Sequence, residues 1–305
     1  MNMQTSKDNP RRRRTDVGGA HAVVLLHGLC GSALELGSIR KVLESNGCTV
    51  VVPEIANYSA ALIDTAATPD WTAWCEHVEA EIARLKERFE TVSICGLSMG
   101  ATLALAVAAR GAAAVGKPDL AGLVLLSPVL HYDGWSVPWY HALLGLAYRL
   151  GIRNWTYRES EPYGIKNLAM RRRVVQALKK DGVAAVGAAE LPAKHLWAAQ
   201  GLMAYVRAAL PRVTTDTLVI HSVDDETASP RGAELILTRI GAATRRVVWL
   251  GDCYHIITVD NEREIVVNET VRFLTRAGGS RGTDSAGPTT LQGLPLKDRR
   301  YPRAA

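Results

Sequence analysis

Residues 91–101 read TVSICGLSMGA, and this stretch determines how the rest of the sequence is interpreted. The apolar run Thr91–Cys95 predicts a buried strand, and the alanine-rich stretch from Met99 to Arg110 predicts a helix. Between them lies Gly96-Leu97-Ser98-Met99-Gly100, a Gly-x-Ser-x-Gly sequence at a strand-to-helix turn. Such a turn is so sharp that a side chain at either glycine would collide with neighbouring backbone. Because the strained turn lifts the serine hydroxyl above the sheet edge, Ser98 is the candidate nucleophile.

Further strands are predicted on both sides of this turn. They are the apolar segments Ala22–Leu26, Thr49–Val52, Leu120–Leu126, Thr217–His221 and Arg246–Leu250. Segments with helical spacing of apolar residues alternate with them, which implies a parallel sheet with helices on both faces. The expected fold class is therefore α/β, with a mostly parallel sheet of about six strands.

Two helix starts can be predicted from local signals. Ser32 precedes Glu35 by three positions, which is typical of a capping box, and Leu36, Ile39 and Leu43 follow at helical spacing. Further on, Thr68 with Pro69 is typical of an N-cap followed by the first helical residue.

The sequence divides into four regions. Residues 1–20 and 277–305 are polar tails that we expect to be disordered, and residues 21–130 with 211–276 form the α/β core. Residues 131–210 interrupt the alternation as an insertion of helical character, a lid or cap over the carboxyl edge of the sheet. This insertion holds ten of the eighteen aromatic residues, which predicts either an apolar pocket lining or a core of its own.

Composition excludes several classes of protein. The formal net charge is +6, and each of the two tails carries +3, so the folded body has no basic excess for nucleic acid. No apolar run reaches the eighteen residues of a transmembrane helix. Five scattered cysteines without a Cys-x-x-Cys pair indicate reduced thiols and a cytoplasmic location. Neither metal-ligand spacing nor a Gly-x-Gly-x-x-Gly loop is present, so we expect no metal and no cofactor.

A serine hydroxyl needs a base to act as a nucleophile at neutral pH. Asp252-Cys253-Tyr254-His255 follows the last predicted strand, and His255 is the candidate base. The stretch His221–Glu226 follows the preceding strand, and there Asp224, Asp225 and Glu226 compete for the role of the acid that orients the histidine. Asp133, in the loop after strand Leu120–Leu126, is an outside candidate for that role.

Two backbone donors are needed for the oxyanion of an acyl-transfer reaction. Met99 follows the nucleophile at a helix N-terminus, and its N–H is the first expected donor. The second is the N–H of Leu29 in the loop His27–Gly31, where the flanking glycines allow close backbone approach. We interpret His27 as a loop-fixing residue, and Cys30 and Cys253 as structural cysteines.

Four segments together resemble the α/β-hydrolase superfamily, and within it the small bacterial carboxylesterases and monoacylglycerol lipases. They are LLHGLCGS (25–32), CGLSMGA (95–101), VIHSVDDETASP (219–230) and GDCYHIITVD (251–260). The resemblance implies that a D-E-x-x-x-P stretch carries the acid, which favours Asp225 over Asp224. It also implies His255 as the base, and Leu29 and Met99 as oxyanion donors.

This sequence departs from the superfamily pattern in two places. Only about twenty residues precede the first predicted strand, too few for the two leading strands of the full eight-stranded fold. The insertion is also longer than a minimal esterase lid, so the substrate preference of the family transfers poorly.

The expected function is that of a serine hydrolase, which cleaves carboxylic esters of apolar acyl chains through an acyl-enzyme. The alternative is a thioesterase or acyltransferase that acts on acyl-CoA or acyl-carrier substrates. It is motivated by basic residues in the insertion, namely Lys166, Arg171–Arg173, Lys179 and Lys180. A non-catalytic binding protein on the same fold is a third hypothesis, which labelling of Ser98 by a fluorophosphonate would exclude. The only partner expected is a small acyl ester or thioester.

Overall fold

The computed structural model describes residues 20–112, 120–137, 143–152, 154–158, 161–181, 183–184, 187–188 and 190–279. The two predicted tails lie outside these residues, apart from residue 20 and residues 277–279. Several positions of the predicted insertion also lie outside them.

Six strands form the central sheet. They are β1 (His21–Leu26), β2 (Thr49–Val51), β3 (Thr91–Leu97), β4 (Leu123–Leu126), β5 (Thr217–Ser222) and β6 (Arg245–Leu250). Their order is β6-β5-β4-β3-β1-β2, and every neighbouring pair is parallel. The expectation of a parallel sheet of about six strands is thus confirmed.

Eight helices accompany the strands in the described part of the chain. They are α1 (Ile39–Ser45), α2 (Trp71–Lys86), α3 (Met99–Ala112), α4 (Leu144–Arg149), α5 (Leu168–Asp181), α6 (Ala193–Ala209), α7 (Pro230–Arg239) and α8 (Arg263–Gly278). None of them combines the length and the apolar composition needed to cross a bilayer.

Each strand of the sheet contributes side chains to two separate cores, because successive residues point to opposite faces. In β1, Ala22, Val24 and Leu26 pack on the face covered by α2, α3 and α6. Val23 and Leu25 pack on the opposite face, with α1 and α8. This burial on both faces explains why β1 is a continuous apolar run rather than an alternating one.

Some predicted boundaries were wrong. Helix α2 begins two residues after Pro69, because Asp70 is its N-cap and accepts a hydrogen bond from the Thr72 N–H at 2.9 Å. The helix predicted after Ser32 is broken: a 3-10 turn covers Ala33–Leu36, Gly37 has a φ of 56°, and α1 begins only at Ile39. Strand β4 begins at Leu123 instead of Leu120.

The inserted region is not helical alone. Besides α4, α5 and α6 it contains two short antiparallel ribbons, one formed by Thr156–Arg158 with Glu190–Pro192 and one by Val183–Ala184 with Gly187–Ala188. Helix α6 buries Ala199, Leu202 and Val206 in the same core as α3. The C-terminal part of the insertion therefore packs as an integral layer of the body.

Candidate active site

Ser98 lies at the turn between β3 and α3, with a φ of 57° that non-glycine residues rarely adopt. Its N–H donates to the Leu126 carbonyl oxygen at 2.8 Å, so the turn is tied to the end of the adjacent strand β4. A side chain at Gly96 would overlap the Gly100 carbonyl, and one at Gly100 would overlap the carbonyls of Leu26 and His27. Both glycines of the motif are thus required by the backbone crowding around the serine.

His255 lies in the loop after β6 and contacts both Ser98 and Asp225. Its Nε2 is 2.8 Å from the Ser98 Oγ, and its Nδ1 is 2.8 Å from an oxygen of the Asp225 carboxylate. An ionised carboxylate only accepts hydrogen bonds, so Nδ1 carries a proton and donates a hydrogen bond to Asp225. The lone pair of Nε2 then faces the serine hydroxyl, which is the arrangement in which a histidine can accept that proton.

The Asp225 carboxylate is buried and held on both of its oxygens. One oxygen accepts the N–H groups of Thr227 at 2.9 Å and Ala228 at 2.8 Å, and the other faces His255. Burial alone would raise the pKa of Asp225. Attraction to His255 and the hydrogen bond from its ring outweigh burial, so the pKa of Asp225 lies below its usual value.

The other acidic candidates have different partners. Asp224 is half exposed and forms an ion pair with Lys166 at 3.0 Å. Asp133 accepts two hydrogen bonds from Ser229, at 2.9 Å from its N–H and 2.7 Å from its hydroxyl, at the start of α7. Both carboxylates thus bind other groups, whereas the Asp225 carboxylate lies at the His255 ring.

Glu226 was a candidate for the acid, and its actual contact is one that the sequence did not predict. It is buried, and its Oε2 accepts the backbone N–H of His255 at 3.0 Å. Burial, followed by the nearby charge of Asp225, raises the pKa of Glu226 to about 7. Its place in the D-E-x-x-x-P stretch indicates a position near the site, but not this contact.

The loop after β1 passes directly over the serine. A Cβ built on Gly28 would lie 3.6 Å from the Ser98 Cβ. The Gly28 carbonyl accepts the Gly31 N–H at 3.1 Å and faces the His27 Nδ1 at 2.8 Å. Because a trans peptide points its N–H opposite to its C=O, these two bonds contribute to the direction of the Leu29 N–H. Among the described residues, that N–H has no hydrogen-bond acceptor.

His27 is fixed by a chain of hydrogen bonds. The Ile55 N–H donates to the Ser59 Oγ at 2.9 Å, and the Ser59 hydroxyl lies 3.0 Å from the His27 Nε2. The hydroxyl can therefore donate to Nε2 while Nδ1–H donates to Gly28. Burial lowers the pKa of His27, which keeps the ring neutral as this arrangement requires.

Segments of the insertion pack on the histidine loop. The Ile256 N–H donates to the Gly164 carbonyl, and the Asp260 carboxylate accepts the N–H groups of Lys166 and Tyr254, each at 2.8 Å. The Trp135 ring lies edge-on to Tyr254, with centroids 5.5 Å apart. Residues 135 and 164–166 thus lie beside the candidate site.

A cavity of about 930 Å³ lies between the loop after β4, α6 and α7. Leu130, Trp197, Met203 and Leu235 give it apolar walls, and Arg207 and Arg231 lie at its border. Ser98 and His255 do not line it. Trp197 also stacks on Tyr148, with centroids 4.2 Å apart. Some of the aromatic residues of the insertion therefore pack on each other.

The chain is similar in sequence to a known family and to two characterised proteins. Residues 20–263 match the model of the family Hydrolase_4, described as serine aminopeptidase, S33. A thermostable monoacylglycerol lipase of Bacillus sp. (strain H-257) is 24% identical over 263 residues, which cover 86% of this chain and 93% of the lipase. A carboxylesterase of Bacillus subtilis (strain 168) is 23% identical over 261 residues, which cover 85% of this chain and 94% of the esterase.

Solved structures show the same fold. The monoacylglycerol lipase of Paleococcus ferrophilus superposes with a TM-score of 0.67 at 17% identity, covering 84% of this chain and 94% of the lipase. A structure described under the lipolytic enzymes LipS and LipT superposes with a TM-score of 0.64 at 22% identity, covering 85% and 95%. Because the family model matches most of the chain, this protein belongs to the Hydrolase_4 (serine aminopeptidase, S33) family and has the α/β-hydrolase fold.

Proposed function

We propose that this protein is a carboxylic-ester hydrolase in which Ser98 is the nucleophile, His255 the base and Asp225 the acid. The observation that carries the proposal is the pair of 2.8 Å contacts that join Ser98 to His255 and His255 to Asp225. The related monoacylglycerol lipase and carboxylesterase support an ester as the substrate.

In the first half of the reaction, Ser98 attacks the ester carbonyl carbon while its hydroxyl proton moves to the His255 Nε2. The imidazolium that forms is stabilised by the buried, ionised Asp225. As the tetrahedral intermediate collapses, the carbon–oxygen bond to the alcohol breaks, and His255 returns the proton to the departing oxygen. The acyl group then remains on Ser98.

The negative oxygen of the intermediate is stabilised by the N–H groups of Leu29 and Met99. Met99 is the first residue of α3, where a helix leaves its N–H groups without intrahelical acceptors and carries a partial positive charge. In the second half, a water molecule gives a proton to His255 and attacks the acyl carbon. The proton then returns to Ser98 as the acid is released.

We also propose that residues 131–210 act as the lid that selects the acyl chain. Residues 135 and 164–166 lie beside the histidine loop, and the insertion holds ten of the eighteen aromatic residues, which supports an apolar lining for the acyl chain. The burial of each methylene contributes about 0.8 kcal/mol. Each added acyl carbon should therefore raise kcat/KM roughly three- to fourfold until the pocket is full.

The structure weakens the basis for a thioesterase or acyltransferase. Lys166 already pairs with Asp224 and with Asp252, at 3.0 and 3.2 Å. Arg171 donates to the Ile165 carbonyl at 2.7 Å. Two of the basic residues that motivate this alternative are thus engaged in internal contacts, and the side chains of Lys179 and Lys180 lie outside the described residues.

A matched panel of esters and acyl-CoA thioesters tests these proposals. We expect p-nitrophenyl esters and monoacylglycerols to be cleaved, with kcat/KM rising along the acyl series, at both low and high salt. A flat response to chain length would contradict the apolar acyl pocket. A preference for acyl-CoA that weakens as salt is added would favour the thioesterase, because exposed charges are screened by salt.

A further inference from the structure

A buried carboxylate that the proposed reaction does not use lies behind the Leu29 loop. Glu35 is only 3% exposed, and its Oε2 accepts the Gly28 N–H at 2.7 Å. The nearby Ser32 N–H acts to lower the pKa of the same carboxylate. The capping-box spacing predicted that Ser32 and Glu35 lie together, whereas the bond to Gly28 reaches back across the whole loop.

The loop is folded closely around this side chain. A Cβ on Gly28 would lie 2.9 Å from the Glu35 Oε2, and one on Gly31 would overlap Oε1. On its other side, the Glu35 backbone carbonyl accepts the hydroxyl of Thr258, three residues after His255. Glu35 therefore connects the loop that carries one oxyanion donor to the loop that carries the base.

Keeping a carboxylate at this position is costly. Burial raises the pKa of Glu35 to about 7, although the hydrogen bonds from Gly28 and Ser32 and the proximity of His255 act in the opposite direction. A buried carboxyl is tolerated when its oxygens are satisfied, and here the groups that satisfy them belong to the loop over Ser98.

We propose that Glu35 is a positioning residue that orients the Gly28–Leu29 peptide so that the Leu29 N–H faces the oxyanion. Glu35 holds the N–H of Gly28, while His27 and Gly31 hold its carbonyl. Because both the N–H and the carbonyl of Gly28 are held, the Leu29 N–H is held in one direction as well. This inference rests on the proposed ester hydrolysis and assigns a cause to its oxyanion geometry.

Two variants disturb this contact in different ways. Glu35→Gln turns one of the two acceptor oxygens into an NH₂ group, so the side chain can hold the Gly28 N–H in only one of its two orientations. Gly31→Ala keeps the carboxylate chemically unchanged, but the added methyl group displaces it from its position. Glu44→Gln is the matched control, because Glu44 is an exposed acid of α1 whose ion pair is with Arg40.

The test compares kcat and KM with the affinity for a trifluoromethyl ketone, which forms an oxyanion on Ser98. Loss of a whole oxyanion donor costs roughly 10²- to 10³-fold in kcat, so a misdirected one should cost about 10- to 100-fold. We expect kcat to fall by that factor in both variants, with kcat calculated per active site as counted by titration. KM should change by less than about threefold. Affinity for the ketone should fall by the same factor as kcat/KM, and Glu44→Gln should match the wild type.

Hydrogen exchange gives a readout that is independent of turnover. In Glu35→Gln, the amides of residues 27–32 should exchange faster than in the wild type, while α3 stays protected. The inference would be overturned if Glu35→Gln had the kcat and the ketone affinity of the wild type. It would also be overturned if the loss of activity came entirely from a smaller number of active sites counted by titration. Failure of the wild type on every ester would instead overturn the proposed function, so the two failures are distinguishable.

Discussion

Three consecutive acidic residues follow β5, and each has a different environment. Asp224 forms an ion pair with Lys166 at the surface, Asp225 contacts the ring of His255, and Glu226 accepts the backbone N–H of His255. The difference arises because neighbouring residues after the end of a strand point in different directions, and the side chain of Asp225 points to the imidazole.

Exchange of Asp225 for asparagine tests this assignment at the residue scale. Asp225→Asn should lower kcat by about 10⁴-fold, as in serine proteases, because the amide favours the wrong tautomer of His255. Asp224→Asn should change kcat by less than about threefold, since its partner Lys166 also contacts Asp252. Steady-state kinetics of both variants on one ester decide the matter, and the opposite order of losses would assign the acid to Asp224.

The raised pKa of Glu35 predicts how the stability of the protein depends on pH. Its pKa of about 7 in the folded protein lies above the ordinary 4.5, so the folded state binds the proton more tightly than the unfolded chain. Its contribution to stability is therefore complete below pH 4.5 and is lost as the pH rises through 7. The free energy of unfolding of Glu35→Gln, relative to the wild type, should rise by up to about 3 kcal/mol between pH 5 and pH 8.

Urea unfolding of the wild type and Glu35→Gln across this pH range measures that difference. If the free energies of unfolding of the two proteins differ by a constant amount from pH 5 to pH 8, the pKa of Glu35 is not raised.

Sequence reasoning reached part of this residue-level arrangement. Ser98 and His255 could be proposed because each follows a predicted strand in a recognisable pattern. The roles of Glu35 and Glu226 could not be predicted, since each depends on a backbone N–H from a segment distant in the chain. Local spacing carries no information about such contacts.

Among the elements of the fold, the turn between β3 and α3 is closely packed on both of its glycines. A side chain at Gly100 would overlap two carbonyls of β1 and its following loop. Gly111 lies near the end of the same helix, and a Cβ added there would meet no other heavy atom of the described residues within 4 Å. The same substitution therefore has opposite consequences at the two ends of one helix.

Alanine at each glycine tests this contrast. Overpacking costs about 1–3 kcal/mol, so Gly100→Ala should lower Tm by roughly 3–10 °C and reduce activity by more than about tenfold. Gly111→Ala should leave activity unchanged and keep or raise Tm, since alanine is the better helix former. Thermal unfolding and ester hydrolysis of both variants give the answer, and equal Tm values would contradict the crowding at the turn.

Elements were easier to predict than their ends. The six strands follow from apolar runs, whereas the cap of α2 moved from Thr68 to Asp70 and the first helix was interrupted at Gly37. Asp70 lies two residues after Thr68, and its carboxylate accepts the Thr72 N–H. At Gly37, a side chain would overlap the carbonyl of Thr258, so tertiary packing interrupts a helical pattern that is continuous in the sequence.

At the scale of the whole molecule, the order of the strands explains why residues so far apart in the sequence meet. Register pairs Leu26 with Gly96, Leu97 with Leu126, and Leu126 with Ile220. The carboxyl ends of β1, β3, β4 and β5 therefore lie along one edge, where parallel sheets place their sites. Sequence alternation predicted this edge, but the two short ribbons of the insertion were not predicted, because strands of two or three residues leave no periodic pattern.

Covalent labelling tests whether Ser98 is a nucleophile that His255 activates. A fluorophosphonate probe should add one phosphonyl group per chain to the wild type, and peptide mass spectrometry should place it on Ser98. Ser98→Ala should remain folded, take up no probe and lose ester hydrolysis by more than about 10³-fold. Labelling on another residue, or hydrolysis by Ser98→Ala within tenfold of the wild type, would contradict this role of Ser98.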